Sequence, residues 1–358
     1  MMATWTVLVV AIAGCASGCG GKVEVICAEP EWTLGMEPLG ALLVRAAPDG
    51  SLVVATPNGA VVGDLALGGP HLLRITASGE VAAVVPIPTT GDEIPREMHL
   101  DGSGAPVIRF GDSNDRIAGF DAAFRQKWSK QHTSIAEFDA GPGGETAYWA
   151  STSNGDAIYL VDAAGAQRWF RSLLRGFGGP PMPLRMSAAG EVFVFDTSGA
   201  RTRRLRLPFD GLTVDEVEMP KFSPHDSFAM IDRDGGVVFV DEPNLASLVR
   251  LDAAGTVVWA SRLDAPVRSP VAAPAGQIVA ITSLSLLDSG RGRAAAAEST
   301  EVVVLDGATG ARQANHHNCN AMSVDVVFQG EGIVIADQFG YVLFQGTGPA
   351  GLARYPMP

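Results

Sequence analysis

The chain has 358 residues, of which 47% are apolar and 18% charged, with 42 glycines and 23 prolines. That is the composition of a soluble β-protein built from many short strands and turns, and long uncapped helical patterns are missing. Lysine and arginine number 26 against 39 aspartates and glutamates, and the formal charge of −13 argues against nucleic acid as a general partner.

The first element is apolar. Trp5 through Gly14 has the length of a signal-peptide core, is too short to anchor stably across a bilayer, and ends at Ile12-Ala13-Gly14-Cys15. This tetrapeptide resembles the bacterial lipobox, and resemblance to bacterial lipoproteins implies cleavage before Cys15 and a lipid on its sulfur. Met1 to Thr6 carries no lysine or arginine, so the positive start rests on the α-amine alone. Residues 1–14 are thus expected to be a signal peptide, 15–38 the lipidated cysteine and a flexible tether, and 39–358 the folded domain. The expected location is the bacterial cell envelope, membrane-attached through the N-terminal lipid and facing the periplasm or the exterior. Ala16 is not the aspartate that resembles an inner-membrane retention signal, which favours the outer membrane.

From Gly50 onward the chain repeats. A turn glycine precedes a β-branched or aromatic run at Gly50, Gly104, Gly144, Gly190, Gly236, Gly276 and Gly332, in steps of 40 to 56 residues. A second turn recurs between them: Asp162-Ala163-Ala164-Gly165 with Trp169, and Asp252-Ala253-Ala254-Gly255 with Trp259. Asp121 with Trp128 lacks the glycine, and Asp306 to Gly310 lacks the tryptophan. Each unit reads as strand, Gly turn, strand, loop, strand, Asp turn, strand. Such units cannot bury their own apolar faces and must stack. Four short strands per unit make a propeller blade, so the expected fold is an all-β propeller of seven four-stranded blades in one domain. The recurrent residues have structural work: aspartate bonds its own turn, glycine takes the left-handed conformation, and tryptophan wedges between blades.

The units resemble the repeats of PQQ-like, quinoprotein-type propellers. The resemblance is carried by Ser269-Pro270-Val271, by Val304-Leu305-Asp306-Gly307-Ala308-Thr309-Gly310, by Leu160-Val161-Asp162 with Gly165 and Trp169, and by Leu251-Asp252 with Trp259. It covers roughly residues 39 to 358 and is strongest in four repeats. The absence of any Trp-Asp dipeptide sets the chain against WD40 blades. Quinoprotein dehydrogenases carry a calcium site, a catalytic aspartate and, in one branch, a vicinal Cys-Cys pair. This chain has no such pair and no aspartate that matches the catalytic one, so neither cofactor nor metal is expected.

Other constellations are weaker. With Cys15 acylated, Cys27 and Cys319 could form a disulfide latching the ring, or Cys19 could pair with Cys27 in the tether. Arg201, Arg203, Arg204 and Arg206 are a possible contact for an anionic polymer or acidic partner, or else a solvated outer strand that discourages edge pairing. His316 and His317 face opposite ways on an extended segment, and Asp232 to Gly235 lacks the later ligands of a calcium loop. Gly111-Asp112-Ser113 has no Gly-x-Ser-x-Gly elbow or paired histidine. Two long units place extra residues near Thr89 to Pro95 and Asp288 to Ser299, where recognition loops are expected. The expected function is a monomeric binding or scaffold module for envelope protein or polymer. The alternative is a PQQ-type oxidoreductase or another propeller enzyme.

Overall fold

A computed structural model describes residues 31–38, 42–91, 93–111, 115–152, 155–172, 184–196, 201–211, 215–220, 229–231, 236–241, 246–264, 267–272, 277–283, 300–318, 323–329, 332–337 and 351–356. Every regular element among them is a β-strand.

The described strands form seven antiparallel sheets. The first holds β2 (Leu43–Ala46), β3 (Leu52–Thr56), β6 (His71–Ile75) and β7 (Val81–Pro86), with a hairpin of β4 (Gly59–Val62) and β5 (Leu65–Gly68) inserted midway. The second holds β8 (Ile94–Leu100), β9 (Pro106–Gly111), β10 (Arg116–Phe120) and β11 (Gln126–Gln131). The third holds β12 (Ser134–Ala140), β13 (Thr146–Thr152), β14 (Gly155–Val161) and β15 (Gln167–Ser172). In the fourth are β16 (Leu184–Met186), β17 (Val192–Asp196), β18 (Thr202–Leu207) and β19 (Asp215–Met219). The fifth has β20 (Ala229–Ile231), β21 (Val237–Val240), β22 (Ser247–Leu251) and β23 (Val257–Arg262). The sixth has β24 (Val267–Ala272), β25 (Gln277–Ser283), β26 (Thr300–Asp306) and β27 (Arg312–Asn318). The last runs β28 (Ser323–Gln329), β29 (Gly332–Asp337), β30 (Gly351–Pro356), then β1 (Trp32–Pro38), β4 and β5.

Strand β1 corrects the expected tether, which was drawn to residue 38. Its first half pairs with the C-terminal strand β30, Trp32 opposite Arg354 and Leu34 opposite Leu352. Its second half pairs with β4, Met36 opposite Val62. The driving force is alternation: Trp32, Leu34 and Met36 share one face and join the apolar layer of Val44, Leu73 and Leu352. Residues 32–38 and 351–356, far apart along the chain, are thereby joined in one sheet.

A second correction follows from the hairpin. The surplus length of the first unit lies in β4 and β5, not near Thr89 to Pro95. The latter segment is tied down, because Arg116 Nε lies 3.0 Å from Glu93 Oε2, donates from Nη2 to Pro88 O, and lies over the Phe110 ring.

Apolar side chains collect in layers between neighbouring sheets. Val53 and Leu72 of the first sheet meet Met98 and Phe110 of the second. Val107 and Trp128 meet Phe138 and Tyr148 of the third, and Trp149 and Ile158 meet Leu184 and Val194 of the fourth. Phe193 and Phe195 meet Val237 and Phe239, and Val238 and Val240 meet Ile278 and Val303. Burial on both faces explains the largely apolar runs of β3, β17 and β21.

Candidate functional site

The turn aspartates are satisfied by backbone. Asp162 Oδ1 accepts the N–H groups of Ala164 and Ala166, and Asp252 Oδ1 those of Ala254 and Thr256. Asp121 does the same with Ala123 and Arg125, and Asp306 with Ala308 and Thr309. These bonds hold the carboxyls of Asp121 and Asp162 below the usual range, and the Thr309 hydroxyl, with the backbone N–H groups, does so for Asp306. Such carboxylates are spent on turns, and Asx geometry accounts for their recurrence.

The tryptophans rest on the next sheet's turn glycine. A Cβ at Gly165 would lie 2.5 Å from Trp128, at Gly211 2.9 Å from Trp169, and at Gly310 2.6 Å from Trp259. Trp169 Nε1 donates to Phe209 O and Trp259 Nε1 to Gly307 O, each at 2.9 Å. Sequence reasoning missed a further member of the set. Trp32, on β1, donates to Ala77 O at 2.9 Å, and a Cβ at Gly79 would lie 2.7 Å from its ring. Its signal was the Trp-x-Leu-x-Met alternation. Met219 takes the equivalent place against Gly255.

Arg203, Arg204 and Arg206 lie on β18, with Arg201 just before it; β18 is an interior strand paired with both β17 and β19, so it is no edge. The expectation of an outer, edge-protecting strand is corrected. Arg203 meets Asp196 and Glu216, Arg206 meets Glu191 and Asp215, and Arg201 meets Glu218. Arg204 is buried with its guanidinium over Phe193. Carboxylates from the same sheet match this charge locally.

A second charged group lies on β8, β12 and β16, the strands through which successive sheets touch. His99 Nδ1 is 2.9 Å from Asp139 Oδ1, and its Nε2 is 3.0 Å from Glu97 Oε1. Glu97 Oε2 lies 3.2 Å from Arg109 Nε, and Asp139 Oδ2 accepts the Met186 N–H at 2.8 Å. Arg185 lies 3.8 Å from Glu137. Burial opposes the imidazolium, but the bonds to Asp139 and Glu97 outweigh it and raise the His99 pKa. Burial likewise opposes the Asp139 and Glu97 charges, and His99 with its arginine neighbours outweighs it and lowers both. Both ring nitrogens face carboxylates, so the histidine is a strap across the second and third sheets and is not poised as a base.

An aromatic stack leads from buried Tyr148 out to exposed Phe170 on the outer strand β15. Tyr148 stacks on Tyr159 at 5.2 Å, Tyr159 on Phe170 at 6.0 Å, and His132 Nε2 lies 3.2 Å from the Tyr148 hydroxyl. Burial lowers the His132 pKa, helped by Lys130. The large exposed apolar side chains among the described residues are Val61, Leu65, Val81, Phe170, Val257 and Val258, all on the outer strands β7, β15 and β23 or on the hairpin.

Among the described residues no group of three or more His, Cys, Asp or Glu is arranged to hold a metal ion. Cys15, Cys19, Cys27 and Cys319, the turn at Asp232, Asp112 with Ser113, and the loop at Asp288 to Ser299 lie outside the described residues. His316 and His317 fall on β27 opposite Val302 and Glu301.

Solved structures decide the architecture. The WD40 repeats of RRP9 match with a TM-score of 0.60 over 93% of this chain and 99% of that one, at 8% identity. The fold is a β-propeller. A protein of unknown function from Bacteroides caccae and BamB from Moraxella catarrhalis each match with a TM-score of 0.42, at 9% and 13% identity. The first covers 92% of this chain and 90% of that one, the second 84% and 83%. At 8% identity the RRP9 likeness is one of fold alone. No family model matches the sequence, and neither does any curated protein.

Proposed function

We propose that the protein is a lipid-anchored, extracytoplasmic propeller of seven blades that binds envelope protein or polymer as a monomeric scaffold. The observation that carries this reading is where the chain spends its polar groups and where it leaves apolar ones. Turn aspartates, the β18 arginines and the His99 group are all engaged internally, while Val61, Leu65, Phe170, Val257 and Val258 stand exposed on the outer strands and the hairpin. Exposed apolar groups on a rigid perimeter suit association. The Ile12-Ala13-Gly14-Cys15 segment and the PQQ-like repeats support the envelope as the place.

Affinity capture of the mature protein from its own envelope fraction tests the proposal. A discrete partner retained by the wild type is expected. Failure to retain any, together with a bound visible chromophore on adding pyrroloquinoline quinone and calcium, would favour the oxidoreductase alternative instead.

A further inference from the structure

We propose that β5 is a receiving edge, to which a partner protein adds one extended strand through main-chain hydrogen bonds. This rests on the binding-module reading and names its site. Among the described strands β5 ends the last sheet and pairs on one side only, with β4. The row Met36, Val62, Leu65 crosses β1, β4 and β5 on a single face, and its exposure runs 1%, 4% and 45%. Leu65 thus occupies a core-facing position that a further strand would cover.

Backbone geometry agrees. The two-residue turn Gly63-Asp64, with Gly63 at φ 56°, makes Val62 and Leu65 the closing hydrogen-bonded pair. Antiparallel alternation then directs the N–H and C=O of Ala66 away from β4, toward the open side. Residues 65–68 carry no charge, proline or β-bulge to block pairing.

Size and charge select the occupant. A four-residue edge falls well short of the ~1,200 Å² that a stable dimer buries, which argues against a second copy. It fits one peptide strand whose affinity comes from main-chain bonds and whose alternate side chains pack beside Leu65. Exposed Asp64 at the turn and the net charge of −13 favour a basic flank on that strand.

The probe is the fluorescein-labelled peptide Lys-Thr-Val-Thr-Val-Thr-Lys, followed by anisotropy. Saturable binding to the full-length protein is expected, weakened about tenfold or more by Ala66→Pro, which removes an outward N–H. Leu65→Lys, which leaves the backbone donors in place, should weaken it too, and both variants should keep the wild-type melting temperature. No binding, or equal affinity for wild type and both variants, overturns the proposal. So does a wild-type dimer that Ala66→Pro converts to monomer, since the edge then takes a second copy. Envelope capture that survives both variants sinks the edge but leaves the scaffold reading standing. Probe binding without any captured partner does the reverse.

Discussion

Phe124 holds φ at 64° where the matching turns place glycine. The left-handed conformation is strained for a bulky residue, yet Phe124 is 2% exposed and lies 5.0 Å from the Arg74 guanidinium. Burial wins over strain, so Phe124→Ala should cost about 3–5 kcal/mol. Phe124→Gly loses the same ring but relieves the backbone, and denaturant unfolding should show it the less damaging of the two by about 1 kcal/mol. An alanine variant at least as stable as the glycine one would remove strain from the account. The His99 strap makes a pH prediction. Because its folded pKa is raised, its contribution is complete below the ordinary histidine value of about 6.5 and is lost as pH rises through the folded value. Asp139 and Glu97 are lowered, so theirs holds above the ordinary carboxylate values and fades as pH falls through the folded ones. Asp139→Asn should move the His99 midpoint down in an imidazole NMR titration. An unmoved midpoint would break the coupling.

Between elements, the recurring contact is an outer-strand aromatic on the next sheet's glycine. Trp259 is 7% exposed and bonded to Gly307 O, so Trp259→Ala should cost about 3–5 kcal/mol, with Trp259→Phe milder. Gly165→Ala fails twice over, since φ is 79° and the added methyl would meet Trp128. Calorimetry on the three single variants checks both contacts. These contacts were legible because aspartate, glycine and tryptophan recur at fixed offsets. The β18 arginines were not, because Glu191 and Asp215 become their neighbours only when β17 and β19 flank β18. The same holds for His99 and Asp139, which belong to different sheets.

On the scale of the whole molecule, stability depends on β1. Among the described strands it alone joins β30 to the hairpin, with Trp32 and Leu34 packed against the same layer as Met36. A chain starting at Glu31 should melt like the mature protein. One starting after Pro38 should lose several kcal/mol, at about 1.5–3 kcal/mol per buried side chain of this size. Equal melting temperatures would show that β1 does not close the fold. Anchoring is a separate matter: Cys15→Ser should release the protein from membranes or trap it as precursor, whereas Cys19→Ser should leave it attached. Recovery of unlipidated wild type in the soluble fraction would end the lipoprotein proposal.

The repeat itself determined the architecture, because hairpin turns and outer-strand wedges are local demands that must recur in every unit and therefore recur in the residues. Asp162, Gly165 and Trp169 serve their turn and their neighbour by the same offsets as Asp252, Gly255 and Trp259, and offsets can be read along a chain. Only the tertiary structure decided that Trp32 belongs to that set, that the arginines of β18 are neutralised, and that Leu65 ends its row uncovered. Each depends on which strands lie side by side and in what register: β1 meets β30 across almost the whole described chain, while β17, β18 and β19 are consecutive and bring their charges together only once their register is set by pairing.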